Sequence, residues 1–276
     1  MTPLSSLLLP MAFIGGGNMA SALIGGLVKN GTAPSAIHVV EPLEATRQAL
    51  VAQHGVRVLA AADVSLKDCA LVVWAVKPQV FKEAALQTKD YFANALHLSV
   101  AAGISSDSIA AWLHTERVVR AMPNTPALVG LGQTGLFARN TVSEAEKQAI
   151  SGMLALVGES LWVEQEALLD AVTAVSGSGP AYVFYFLEAM VDAGVNMGLT
   201  PEQSHQLALG TLVGAAELAL SSSDTPSVLR EKVTSKGGTT YAALTVMQDL
   251  GLHAIMVQAM QAAHDRAQSL GKELGG

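Results

Sequence analysis

"FIGGGNMASALIGGLVKNG", from Phe13 to Gly31, decides how the first half of the chain is read. The apolar run Met11–Gly15 predicts a strand, glycines break it, and the apolar spacing over Met19–Lys29 predicts a helix. Gly15, Gly17 and Ala20 fit the pattern G-x-G-x-x-G/A directly after a strand and at the mouth of a helix, the setting that the pattern requires. Gly15 allows the tight turn, Gly17 lets a pyrophosphate approach the backbone, and Ala20 lets helix pack on sheet. The free N–H groups of the helix start then face the phosphates. The alternative is a tight strand-to-helix turn with no ligand.

Outward from this motif, short apolar runs alternate with helical patterns. Strands are expected at Ile37–Val40, Leu71–Ala75, Leu96–Val100 and Val118–Ala121, with helices at Leu43–His54, Val80–Phe92 and Ser106–Leu113 between them. Such alternation predicts a parallel sheet covered on both faces. After Glu164 the strand-like runs disappear, and Ala167–Val175, Ala181–Met197, Pro201–Leu220, Pro226–Val233, Tyr241–Leu250 and His253–Leu270 read as helices. Gly210 and Gly214 give one of these helices a small-residue face suited to close packing. Two domains are expected, residues 1–164 and 165–276.

The ends of the expected strands gather further candidates. Glu41 closes the second strand, where a carboxylate could accept from an adenosine ribose and repel a 2′-phosphate, which argues for NADH. Arg47 and Arg57 blunt that argument, because either could reach such a phosphate, and a solvated strand-end charge is the bland alternative. Lys77 and Pro78 follow the Leu71–Ala75 strand, and Ala101–Gly103 follow the next, small enough for close cofactor approach. In "RAMPNTPA", Pro123 and Pro126 would stiffen a loop that offers Asn124 and Thr125 to a nicotinamide or its ribose.

Composition excludes several classes. The chain has 276 residues, half of them apolar, and a net charge of −7. Acidic residues outnumber basic ones 12 to 11 up to Glu164 and 11 to 5 beyond it, with no basic tract, so no nucleic-acid partner is expected. The longest uncharged stretches contain glycines and proline, as in "SGSGP", so no membrane span is expected. The opening "MTPLSSLLLPM" lacks a basic n-region and does not read as a signal peptide. Cys69 is the one cysteine, which suits a reducing cytoplasm. The histidines form no H-x-x-x-H pair, so no metal site is expected. Ser178 has no partners for a nucleophilic triad and reads as a helix cap ahead of Pro180.

"KVTSKGGTTYAAL", Lys232 to Leu244, places two glycines inside a helical region, and the pair marks a helix boundary. With it the motifs are complete. "FIGGGNMA", "AVKP", "AAGI", "RAMPNTPA", "DAVTAVSGSGPAY" and "TSKGGTT" stand in the order and spacing of pyrroline-5-carboxylate reductase, and the chain resembles that family from about Met11 onward. It departs at Lys236, where many members have Pro, and in a leader longer than the family's usual start.

The resemblance implies an α/β Rossmann-type dinucleotide-binding domain followed by an all-α dimerisation domain that interlocks with a second subunit. It implies an enzyme working as a dimer, often assembled into decamers, that reduces (S)-1-pyrroline-5-carboxylate to L-proline with NADPH or NADH. The cofactor residues it implies are Ile14, Gly15, Gly16, Gly17, Asn18, Met19, Ala20, Glu41, Ala75, Val76, Lys77, Pro78, Ala101, Ala102, Gly103 and Asn124. For the substrate it implies Ser178, Gly237, Gly238, Thr239 and Thr240, with backbone near Gly238 and Thr239 on the carboxylate and the Thr240 hydroxyl, the catalytic group, on the ring nitrogen. Two other readings are a β-hydroxyacid dehydrogenase, which expects a catalytic Lys that "SGSGPAYVFYF" lacks, and a cofactor-binding sensor, which needs neither "SKGGTT" nor "RAMPNTPA".

Overall fold

The computed structural model describes residues 6–92 and 94–274; the first five residues of the leader lie outside them. They form two compact units, one running to Ser178 and taking in residues from Ala263 onward, the other Gly179–Ala262.

The first unit is built on a sheet of eight strands: β1 Met11–Ile14, β2 Ile37–Val40, β3 Arg57–Leu59, β4 Leu71–Trp74, β5 Leu96–Ser99, β6 Val118–Met122, β7 Gly132–Ala138 and β8 Gly158–Trp162. Their order is β3-β2-β1-β4-β5-β6-β7-β8, parallel except that β7 runs against β6. Interleaved with them are α1 Asn18–Lys29, α2 Glu44–His54, α3 Pro78–Thr88, α4 Ser106–Leu113, α5 Glu144–Leu154 and α6 Leu168–Val172.

Side chains two apart share a face of a strand, so each central strand feeds two cores. Met11 and Phe13 of β1 and Leu71 and Val73 of β4 pack with Leu23, Ile24 and Leu27 of α1. Ala12, Ile14, Val72 and Trp74 pack on the other face with Phe81 of α3 and Ile109 and Leu113 of α4. This explains the near-continuous apolar strands. In the second core the Trp74 indole donates to Nδ1 of His97 at 3.0 Å. His97 is 2 % exposed. Burial drives its pKa down to about 4.

The five expected strands and four intervening helices of the first half form within a few residues of their expected bounds. β3, β7, β8 and α5 are additions. β3 is three residues with an exposed first position. β7 and β8 carry glycines that weaken a strand pattern but are needed for close approach. A Cβ on Gly135 would lie 2.7 Å from Val172, and one on Gly132 2.9 Å from the Val157 carbonyl. α5 did carry a signal, the S-x-x-E pair Ser143 and Glu146, which forms a capping box.

The second unit contains α7 Gly179–Asn196, α8 Pro201–Leu220, α9 Pro226–Lys232, α10 Thr239–Asp249 and the first half of α11, Leu252–Leu274. α7 and α8 form a helical hairpin. Gly194 admits the Ser204 side chain, whose Oγ donates to the Val191 carbonyl at 2.7 Å. The packing expected of Gly210 and Gly214 is not found among the described residues, where a Cβ on either would meet nothing within 4 Å. Phe184, Tyr185, Leu207, Val213, Leu218 and Leu220 are exposed. Among the described residues no helix is long and apolar enough to cross a membrane.

Candidate active site

Strand order reverses its direction of growth between β1 and β4, and in such sheets a ligand crevice opens at the carboxyl ends of those two strands. A cavity of about 680 Å³ lies there. Of the expected cofactor residues it gathers Ile14 at the end of β1 and Gly15, Gly16 and Gly17 after it, Glu41 after β2, and Ala75, Val76 and Lys77 after β4. Pro78 is the first residue of α3, a position where its missing N–H costs nothing.

The three glycines stand in three different settings. Gly15 has φ +94°, and a Cβ on it would lie 2.6 Å from the Ala75 carbonyl oxygen. A Cβ on Gly16 would lie 2.6 Å from Leu50 and 3.3 Å from Glu41. On Gly17 it would meet nothing within 4 Å. No clash within the protein forbids a side chain at Gly17, and the space it would enter adjoins the cavity, as a pyrophosphate cradle requires. Gly17 caps α1 without a side-chain hydrogen bond, so the first-turn amides of Asn18, Met19 and Ala20 have no helical acceptor. Ala20 is buried under the helix, whereas Asn18 is exposed.

Glu41 is only 7 % exposed, which overturns the solvated-charge alternative. Gly16 N donates to its Oε2 at 2.9 Å and Leu43 N to its Oε1 at 2.8 Å, so the carboxylate ties the glycine loop to the β2–α2 turn. The rest of the cavity escaped the sequence reading: Val40 at the end of β2, Pro42, Leu43 and Thr46 beyond it, Ala60–Ala62 beyond β3, Val80, Glu83, Ala84, Gln87 and Thr88 along α3, and Tyr91 after it. The three- and four-residue spacing on α3 and the small "AAA" after β3 were the legible signals.

Ala101, Ala102, Gly103 and Asn124 stand at the carboxyl ends of β5 and β6 but do not line this cavity. Gly103, at φ +75°, is where α11 packs: a Cβ there would touch Leu270 at 3.4 Å. Asn124 is 8 % exposed. Its Nδ2 donates to the Ser176 carbonyl at 3.1 Å and its Oδ1 accepts from Gln133 N at 2.8 Å. That carbonyl lies in a π-helical turn, Thr173–Gly177, that joins α6 to α7. Ser178 continues the helical geometry, with φ −86° and ψ −17°, so it is not the cap expected of it.

In the second unit, Gly237 takes φ +76° and Gly238, at φ −80° and ψ 177°, caps α10 with no side-chain hydrogen bond. Gly238 N is spent on the Ser235 carbonyl at 3.0 Å. The amides that start α10 without a helical acceptor are those of Thr239, Thr240 and Tyr241. Gly238 N, one of the expected donors, is therefore occupied, because the second glycine closes a turn of its own. Between Val233 and Leu244 the titratable side chains are Lys236 and Tyr241.

Residues 166–270 match the family model for pyrroline-5-carboxylate reductase dimerisation, and residues 10–103 match the model for coenzyme F420-dependent NADP oxidoreductase. The chain is similar to the pyrroline-5-carboxylate reductase of Pseudomonas aeruginosa, at 43 % identity over 96 % of this chain and 98 % of that one. It is similar to that of Escherichia coli at 34 % identity, over 95 % of this chain and 98 % of the other. A solved reductase from Coxiella burnetii superposes with a TM-score of 0.88 at 36 % identity, covering 98 % of this chain and 99 % of that one. The Plasmodium falciparum enzyme, solved with NADP bound, gives 0.84 at 27 % identity over 95 % and 98 %. With identity of this order sustained from end to end, the chain belongs to the pyrroline-5-carboxylate reductase family.

Proposed function

We propose that the crevice around the glycine-rich loop holds the dinucleotide and that the turn before α10 holds the substrate's carboxylate. The activity is that of the family: reduction of the C=N bond of (S)-1-pyrroline-5-carboxylate to L-proline, the last step of proline biosynthesis, with NADPH or NADH. The bound reduced nicotinamide supplies a hydride to the imine carbon. The chain's residues bind and orient. In the first unit the first-turn amides of α1 take the pyrophosphate with Gly17 leaving room for it, while Ala75–Pro78 line the wall across from the loop.

The observation that carries the substrate assignment is the uncapped start of α10. Three amides and the positive end of the helix dipole suit a carboxylate. The absence of an Asp, Glu or His from Val233–Leu244 fits the chemistry. A cyclic imine takes a proton from water readily, and the iminium is already electrophilic, so the chain needs no strong acid there. In this reading the Thr240 hydroxyl holds the ring nitrogen, and Ser178 adds a polar contact to the substrate. Positioning does the work.

The chain self-associates through its dimerisation domain. A dimer, assembled further into a decamer, and residence in the reducing cytoplasm complete the proposal; the single, buried Cys69 suits that compartment. Spectrophotometry of the purified protein with pyrroline-5-carboxylate tests the reading: imine-dependent oxidation of reduced nicotinamide is expected. Folded protein that oxidises neither NADH nor NADPH would refute it.

A further inference from the structure

We propose that Glu41 makes this chain selective for NADH, its carboxylate accepting from the adenosine ribose and excluding the 2′-phosphate of NADPH. This rests on reading the cavity as the dinucleotide site. It departs from the NADP named in the description of one matching family model and bound in the solved Plasmodium relative.

Three observations support it. The carboxylate is buried on the cavity wall and fixed by the amides of Gly16 and Leu43, so it cannot swing away from an incoming phosphate. A carboxylate has about four acceptor directions, and these bonds use one on each oxygen, leaving capacity for ribose hydroxyls. An added phosphate would bring negative charge against that fixed charge.

Both arginines that could have compensated are placed elsewhere. Arg47 donates from Nη1 to the carbonyls of Glu41 and Pro42, at 3.1 and 2.6 Å, and does not line the cavity. Its guanidinium braces the turn through those two carbonyls. Arg57 pairs in register with His38 at the amino end of β2, three residues before Glu41 and so about 10 Å along the strand from the crevice. The one basic residue lining the cavity, among the described residues, is Lys77, which follows β4 and not β2. Near the β2 end a further acid, Glu44, occupies the first turn of α2.

The test has two arms. Steady-state kinetics with pyrroline-5-carboxylate should give kcat/KM for NADH at least about tenfold above NADPH, and Glu41→Ser should move the ratio toward NADPH by about tenfold or more. Calorimetry with ADP-ribose and 2′-phospho-ADP-ribose, which needs no turnover, should show the wild type binding the first and discriminating against the second, with the gap narrowed in Glu41→Ser. A wild type that takes both fragments equally, or a variant that weakens both with the ratio unaltered, would overturn the proposal and leave Glu41 as a loop anchor. Fragment discrimination without any imine reduction would uphold Glu41 while removing the reductase reading.

Discussion

Valine at position 17 and alanine at position 15 should injure the protein in opposite ways, although the two glycines are separated by one residue. Gly17 has φ −69° and ψ −173°, extended backbone that valine adopts without strain, and its added Cβ meets nothing within 4 Å. The folded protein loses at most the modest advantage of glycine as a cap, on the order of 1 kcal/mol, which in a chain of this size lowers Tm by about 2–4 °C. The cofactor loses much more. If the isopropyl group keeps the pyrophosphate from two of the amides at the start of α1, at about 1.5–3 kcal/mol for each charged hydrogen bond, affinity falls by roughly 10²- to 10⁴-fold.

Gly15→Ala reverses the pattern. Its φ of +94° disfavours any side chain, and the new Cβ would lie 2.6 Å from the Ala75 carbonyl oxygen and 3.0 Å from Val76. Left-handed strain and overpacking together cost about 2–5 kcal/mol, a fall in Tm on the order of 10 °C. Thermal melts and fluorescence titration with NADH and NADPH read both quantities on each variant. A folded Gly17→Val protein with wild-type cofactor affinity would remove the loop from the site and refute the reasoning.

Three further outcomes are expected. Thr239→Pro places proline at the first position of α10 after a residue already extended at ψ 177°, so the helix should survive while one amide is lost; KM for the imine should rise about tenfold or more, with cofactor affinity unchanged, and an unaltered KM would move the carboxylate elsewhere. Thr240→Ala should lower kcat by about tenfold if its hydrogen bond strengthens as the imine nitrogen becomes an amine, and single-turnover kinetics with wild-type rates would exclude it from that role. His97 is held neutral by burial, with its pKa near 4 against 6.5 unfolded, so its contribution is complete above about pH 6.5 and is lost as pH falls toward 4, on the order of 3 kcal/mol in all. Urea titrations between pH 7 and 4 on wild type and His97→Leu should show a shallower pH slope in the variant, and equal slopes would contradict this.

The fold was legible where patterns were strong. β1, β2, β4, β5 and β6 read from the sequence because they are mostly buried and their runs are largely apolar, broken only by His38 in β2, His97 and Ser99 in β5 and Arg120 in β6, and α8 read from the proline that opens it. β7 was hidden because its glycines answer to Ala127, Val157 and Val172, neighbours distant in sequence or brought close only by the fold. In the site, the glycine loop and the strand ends announced themselves through residue type and position. The double use of Glu41 did not, since no local pattern says that a strand-end acid will accept from Gly16, 25 residues earlier. The engagement of Asn124 with Ser176 was equally hidden, because the two residues stand 52 positions apart and only the fold brings them together.

Within Gly179–Ala262 the residues shielded from solvent by the chain's own fold are Gly194, Ser204 and Ala208, none with a large apolar side chain. Burial of that kind contributes little of the free energy that holds a domain together, so self-association through this unit is expected to supply much of its stability. Folding of this unit and association of subunits are then one equilibrium, governed by mass action. Dilution acts on it as a denaturant does, and its melting temperature is a property of protein concentration as much as of sequence.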